Sequence, residues 1–247
     1  MPEPRLEDLI VPDWPAPARV RAVSTTRHGG VSAPPYGSLN LAEHVGDDPV
    51  CVAENRRRLM AAVGYPAEPA WLKQVHGTTV IAAGQARAPM VADAAWTREP
   101  GRPCVVMTAD CLPVLLCDRA GTVVAAAHAG WRGLASGVIA AVTSMKASPV
   151  ELLAWLGPAI GPDAFEVGAE VRTAFLELDA DNADCFQPSP AGRWLADLYE
   201  LARRQLRALG VSAVYGGDYC TFGDSKRFFS YRRENPTGRM ATLIWLN

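Results

Sequence analysis

The chain has 247 residues, with 24 Lys+Arg against 26 Asp+Glu and a formal net charge of −2. Its 49% hydrophobic and 20% charged residues match soluble globular proteins and exclude disorder. No run of like charge exceeds Arg56-Arg57-Arg58, which gives no electrostatic footprint for a nucleic-acid backbone.

Residues 1–18 open with acids and prolines, without the basic and apolar regions of a secretory signal, and read as an extended arm of a single domain spanning 1–247. No apolar run approaches the roughly 20 residues that span a bilayer, so no membrane partner and a cytoplasmic protein are expected. Asp48 as cap, Pro49 at the first position, Val52, Leu59 and Val63 on one side and Gly64 at the end predict a helix. Cys104–Met107 and Leu112–Cys117 are apolar runs too short for helices, and the turn Asp118–Gly121 before Thr122–Ala127 makes 112–128 a hairpin. Leu134, Val138, Val142 and Met145 predict a helix over 133–147, Leu152–Leu156 a strand and Gly168–Leu178 a helix. A long amphipathic helix runs from Leu195 to Leu209, closed by Gly210. Strands resume at Val211–Tyr215, Phe228–Tyr231, whose Arg232-Arg233 forms an exposed basic end, and Met240–Trp245. Hairpins and helices without a βαβ rhythm make the fold α+β, with mixed, largely antiparallel sheets.

Six cysteines without a CxxC read as free thiols. Four histidines, at 28, 44, 76 and 128, are too few for a conventional multicopper oxidase. Polar groups stand at the ends of apolar strands in Lys73-Gln74-Val75-His76-Gly77, Thr108-Ala109-Asp110-Cys111 and His128-Ala129-Gly130-Trp131-Arg132-Gly133. Two imidazoles and a thiol form a zinc or copper ligand set that leaves one position open for water or substrate. Antiparallel pairing of the hairpin brings Cys111 and His128 to one edge, while His76 must arrive from elsewhere. The same residues also admit a metal-free reading, with Cys111 as nucleophile, His128 as base and Asp110 or a backbone carbonyl orienting the ring. Arg27–Ser32 and Tyr36–Leu41 are glycine-rich but lack phosphate-loop spacing and read as an ordinary tight loop. Asn40, Gln74, Asp110 and Arg132 are candidate substrate-binding groups, Arg132 through its bidentate donors to an anion.

KQVHG, TADC and HAGWRG, with Ser38–Leu41, Gly157–Gly161 and Phe228–Arg233, resemble the YfiH family, also called the laccase-domain or polyphenol-oxidase family, from about Thr25 to Thr242. The resemblance implies an α/β/β/α-like sandwich similar to a cytotoxic deamidase toxin domain. It implies phosphorolysis of adenosine, inosine and 5′-methylthioadenosine with phosphate, together with adenosine deamination. It places the family's zinc ligands on His76, Cys111 and His128. Other activities ascribed to the family are copper-dependent polyphenol oxidation and editing of peptidoglycan precursors.

Overall fold

The computed structural model describes residues 8–65, 67–85, 90–144, 151–190 and 192–247. In chain order the elements are β1 (Val20–Ser24), α1 (Pro49–Val63), β2 (Val80–Ala82), β3 (Ala94–Thr97), β4 (Cys104–Thr108), β5 (Leu112–Asp118), β6 (Val124–Ala129), α2 (Trp131–Ala135) and α3 (Val138–Thr143). They continue with β7 (Leu152–Leu156), β8 (Glu166–Val167), α4 (Ala169–Leu176), β9 (Phe186–Pro188), β10 (Trp194–Ala196), α5 (Leu198–Ala208), β11 (Ala213–Gly216) and β12 (Met240–Leu246).

Two sheets stack face to face. One has the order β1-β12-β4, the other β11-β7-β5-β6-β3-β2, and a small sheet β8-β10-β9 stands apart. Side chains alternate across each strand. Leu112, Val114 and Leu116 of β5 pack with Leu134, Ile139, Phe175, Leu201 and Leu206 of the helices α2 to α5. Leu115 and Cys117 of the same strand instead meet Val106 of β4 and Ile244 of β12 between the sheets. On the outer face of the smaller sheet, Val105, Leu243 and Trp245 pack against Leu59 of α1. The result is a four-layer α/β/β/α sandwich in an α+β fold, as expected. Strands buried on both faces have no polar side, which explains the continuous apolar runs of an otherwise antiparallel design.

The hairpin 112–128 forms as read, with Leu112 opposite Ala129 and Pro113 opposite His128. In α1, Asp48 Oδ1 accepts from the Val50 amide at 2.9 Å and Gly64, at φ 73°, closes the helix. Ile10 bridges Ser24 and Trp14 packs against the inter-sheet core, so the described part of the arm lies on the body, and residues 1–7 lie outside the described residues.

Four readings are corrected. The helix expected over 133–147 is two short helices, because Gly137 takes φ 93° between them, and 145–147 lie outside the described residues. Leu195 belongs to β10, paired with both β8 and β9, and the helix begins only after Asp197, whose Oδ1 accepts from the Glu200 amide. Phe228 and Phe229 are fully buried between the sheets yet join no ladder. Arg233, expected exposed, is a half-buried brace for that segment, donating to the carbonyls of Thr221, Phe222 and Phe228 at 2.6–2.8 Å. Among the described residues no helix is long and apolar enough to cross a membrane.

The glycine-rich loop is tied to α1 by one buried amide. Asn55 Oδ1 accepts from the Val31 amide, and its Nδ2 donates to Ser32 Oγ and to the carbonyls of Ser38 and Asn40. Gly30 lets the two arms of the loop touch, since a Cβ there would lie 2.1 Å from the Ser38 carbonyl oxygen. Asn55→Ala leaves these groups buried without partners and should lower stability by about 2–4 kcal/mol. Urea denaturation measures it, and a loss below about 1 kcal/mol would show that the loop is held by something else.

Candidate metal centre

Cys111 lies one residue before β5 and His128 one before the end of β6, and alternation turns both toward the inter-sheet side. His76 reaches them from the loop between the Lys73–Val91 bridge and β2. The ligand atoms of the three side chains all lie within 4.8 Å of one another. Cys111 Sγ is 3.6 Å from His76 Nε2, and the two imidazoles meet edge to face at 4.7 Å between ring centres. His128 is buried, Cys111 half-buried and His76 exposed, so the cluster is walled within and open without. Its exposed member, His76, lines a cavity of about 470 Å³ together with Trp131, Arg132 and Glu177.

The residue that builds this cluster went unread in the sequence. Asp93, fully buried just ahead of β3, accepts from His128 Nδ1 at 2.9 Å. The same carboxylate accepts the backbone amides of Val75, His76 and Gly77 at 2.7–3.3 Å. It therefore fixes the His76 loop, including His76 itself at φ 61°, and aims the His128 ring with Nε2 toward Cys111. Asp93, and not Asp110, is the ring orienter. Its only mark in the sequence is an acid among alanines, Ala92-Asp93-Ala94-Ala95, a position apolar on every side.

Electrostatics couple the thiol and the His128 ring into a thiolate–imidazolium pair, whose ring proton a bound metal would displace. Burial pushes the Cys111 thiol up, but His128 and His76 outweigh it and bring the thiol down to about 6. Burial pulls His128 down, and the Cys111 and Asp93 charges reverse this, raising it to about 9. Asp93 resists its own burial through His128 and the Gly77 and Val75 amides, and titrates below the ordinary carboxylate range.

Of the polar candidates, three are engaged by the protein. Asn40 is fully buried, donating to the Ala42 carbonyl and Asp47 and accepting from the amides of Ala42 and Arg239. Gln74 pairs both ends of its amide with the Met107 backbone at 2.8 Å. Asp110, at φ 91°, accepts from Thr221 Oγ1 through one oxygen and from the Arg232 amide through the other, both at 2.7 Å. Arg132 differs: it is exposed, lies over the Trp131 ring at 4.4 Å and lines the cavity with His76. Gln74 also lines a larger cleft of about 630 Å³, with His44, Lys73, Trp71 and Met107.

Comparison with known proteins fits this geometry. Residues 21–247 match the family model described as multi-copper polyphenol oxidoreductase laccase. A purine nucleoside phosphorylase of Pseudomonas aeruginosa is 59% identical over 96% of this chain and 98% of its own. The purine nucleoside phosphorylase YfiH of Escherichia coli is 56% identical, covering 98% of this chain and all (100%) of that one. The crystal structure of a Neisseria meningitidis protein, 52% identical, superposes with a TM-score of 0.94 over 97% of this chain and 99% of that one. With its sequence, its sandwich and its His-Cys-His cluster in agreement, the chain belongs to the YfiH family.

Proposed function

We propose that this chain is a metal-dependent purine nucleoside phosphorylase acting on adenosine, inosine and 5′-methylthioadenosine with phosphate, and that the same centre, holding zinc, deaminates adenosine. The carrying observation is the convergence of His76, Cys111 and His128 within 4.8 Å, with His76 lining a cavity. The relatives named purine nucleoside phosphorylase supply the substrate class. All six cysteines are free, in keeping with a cytoplasmic enzyme.

The residues fit a metal. Gly130 stands opposite this donor set, and a Cβ on it would lie 2.8 Å from His76 Cδ2 and 2.9 Å from Cys111 Sγ. The backbone there keeps empty the space beside the ligands. Bound by His76, Cys111 and His128, zinc would supply a Lewis acid with one position left for water or substrate. Asp93 holds His128 through Nδ1, so the Nε2 edge faces the cluster and would offer its lone pair once a metal displaces the proton there. Arg132 offers its donors to the ligand at the cavity mouth. Phosphorolysis forms a C1′–O bond to phosphate and breaks C1′–N9, the purine leaving with the electron pair and taking a proton. Deamination puts the oxygen of water on C6 and releases ammonia.

A second reading has a specific observation behind it. Cys111, His128 and Asp93 stand in the order nucleophile, base and orienting acid, as a thiol hydrolase requires. Metal content separates the two.

The purified protein, given adenosine and phosphate, should yield adenine and ribose 1-phosphate, with hypoxanthine products from deamination, and a chelator should stop both; Cys111→Ala should lose metal and turnover while still folding. Full turnover by metal-free protein would end the metal reading in favour of the thiol one. Gly130→Ala leaves an allowed backbone, φ −61° and ψ 158°, so it should lower metal content and turnover with little change in the unfolding midpoint; unchanged metal content would show that the space beside the ligands is not needed. Asp93→Asn should weaken metal binding roughly 10- to 100-fold, read by competition with a chromophoric chelator. An affinity equal to that of the unaltered protein would dismiss Asp93 as the orienter.

A further inference from the structure

A buried charge is stable only when paired or hydrogen-bonded, and among the ion pairs of the described residues one guanidinium beside the His-Cys-His cluster has no carboxylate. Arg239 precedes β12, and the register Met240 to Thr108 sets it opposite Ala109, next to Asp110 and Cys111. It is half-buried, and its Nη1 donates to the carbonyls of Thr237 and Gly238 at 2.9 and 3.0 Å. No carboxylate of the described residues lies within ion-pair distance of it. Of the acidic groups it feels, the Cys111 thiol acts most strongly and Asp110 next, and Asp110 already has both oxygens engaged by Thr221 and the Arg232 amide. Three of the five guanidinium N–H donors, on Nε and Nη2, thus have no acceptor among the described residues.

The fork is held in place for a ligand. Its backbone amide donates to Asn40 Oδ1 at 2.9 Å, its carbonyl accepts from the Leu41 amide, and its guanidinium lies over the Tyr231 ring at 5.7 Å. Gly238 permits this packing, since a Cβ there would meet the Phe229 ring at 2.7 Å. On the same turn Thr237 Oγ1 is buried without a partner among the described residues. Access exists: neither Nε nor Nη2 of Arg239 is among the buried polar atoms left without a partner, so this edge of the fork meets solvent.

We propose that Arg239 is the seat of the phosphate that attacks the nucleoside, taking the anion through the free edge of its guanidinium beside Cys111 and Asp110. This rests on the phosphorolytic reading for the anion's identity and on the unbonded edge of the guanidinium for its place. Planar, always charged and preorganised by two carbonyls, a guanidinium matches two phosphate oxygens at once. Arg132, exposed on α2, is screened by water and makes the weaker seat.

Calorimetric titration of the metal-loaded protein with inorganic phosphate, alongside KM for phosphate at saturating inosine, tests the assignment. Arg239→Gln should weaken phosphate binding and raise that KM about 10- to 100-fold with metal content unchanged, and Arg239→Lys, which keeps the charge without the fork, should recover part of the loss. Equal phosphate affinity in the unaltered protein and Arg239→Gln overturns the assignment, as does a loss confined to Arg132→Ala or no phosphate binding at all. Binding that depends on Arg239, without release of base from any nucleoside, upholds the seat and overturns the phosphorolytic reading instead.

Discussion

Everything at the His-Cys-His cluster depends on the carboxylate of Asp93. It carries a full charge at zero exposure, a placement that costs several kcal/mol unless every lone pair is met. Three consecutive backbone amides, of Val75, His76 and Gly77, and the His128 ring meet it. One group therefore joins two segments 52 residues apart, from His76 to His128, and sets the distance between their rings. A catalytic site of free-standing ligands would have to order each on binding metal; here the ordering is built into the folded chain.

The four-layer sandwich makes that placement possible. The ends of β4, β5 and β6 come together where the two sheets separate, so Asp110, Cys111 and His128 sit at the edge of the inter-sheet core with apolar packing beneath and solvent above. Non-glycine residues in the left-handed region occur at His76 and Asp110, both in this rim. Such conformations cost of order 1–3 kcal/mol each and persist where hydrogen bonds over-determine them. Asp93 holds the first through its amide, and Thr221 and Arg232 hold the second through its carboxylate.

How much of this was legible follows from what each signal measures. The hairpin and the convergence of Cys111 with His128 could be read, because antiparallel register is fixed by a short turn and an apolar pattern. The strand run at Phe228–Tyr231 misled, because burial and apolarity identify a core position without saying whether its backbone pairs in a ladder. Leu195 misled for a related reason: its spacing matched the helix, and only Asp197 marks where strand gives way to helix. Asp93 escaped notice because its role is defined by amides 16–18 residues away, and the sequence records only an acid in an apolar setting.

The polar candidates divide on the same principle. Asn40, Gln74 and Asp110 lie in connections between elements, where orphan backbone donors and acceptors are abundant, and each is engaged with backbone. Gln74 completes the open edge of β4 at Met107, and Asn40 fixes the amide of Arg239. Residue type and position in such a connection thus point equally well to a frame and to a ligand. What tells the two apart is the balance of donors against acceptors in the folded chain. By that measure the frame is closed at Asn40, Gln74 and Asp110, and open at Arg239, where Nε and Nη2 of a half-buried guanidinium have no acceptor among the described residues.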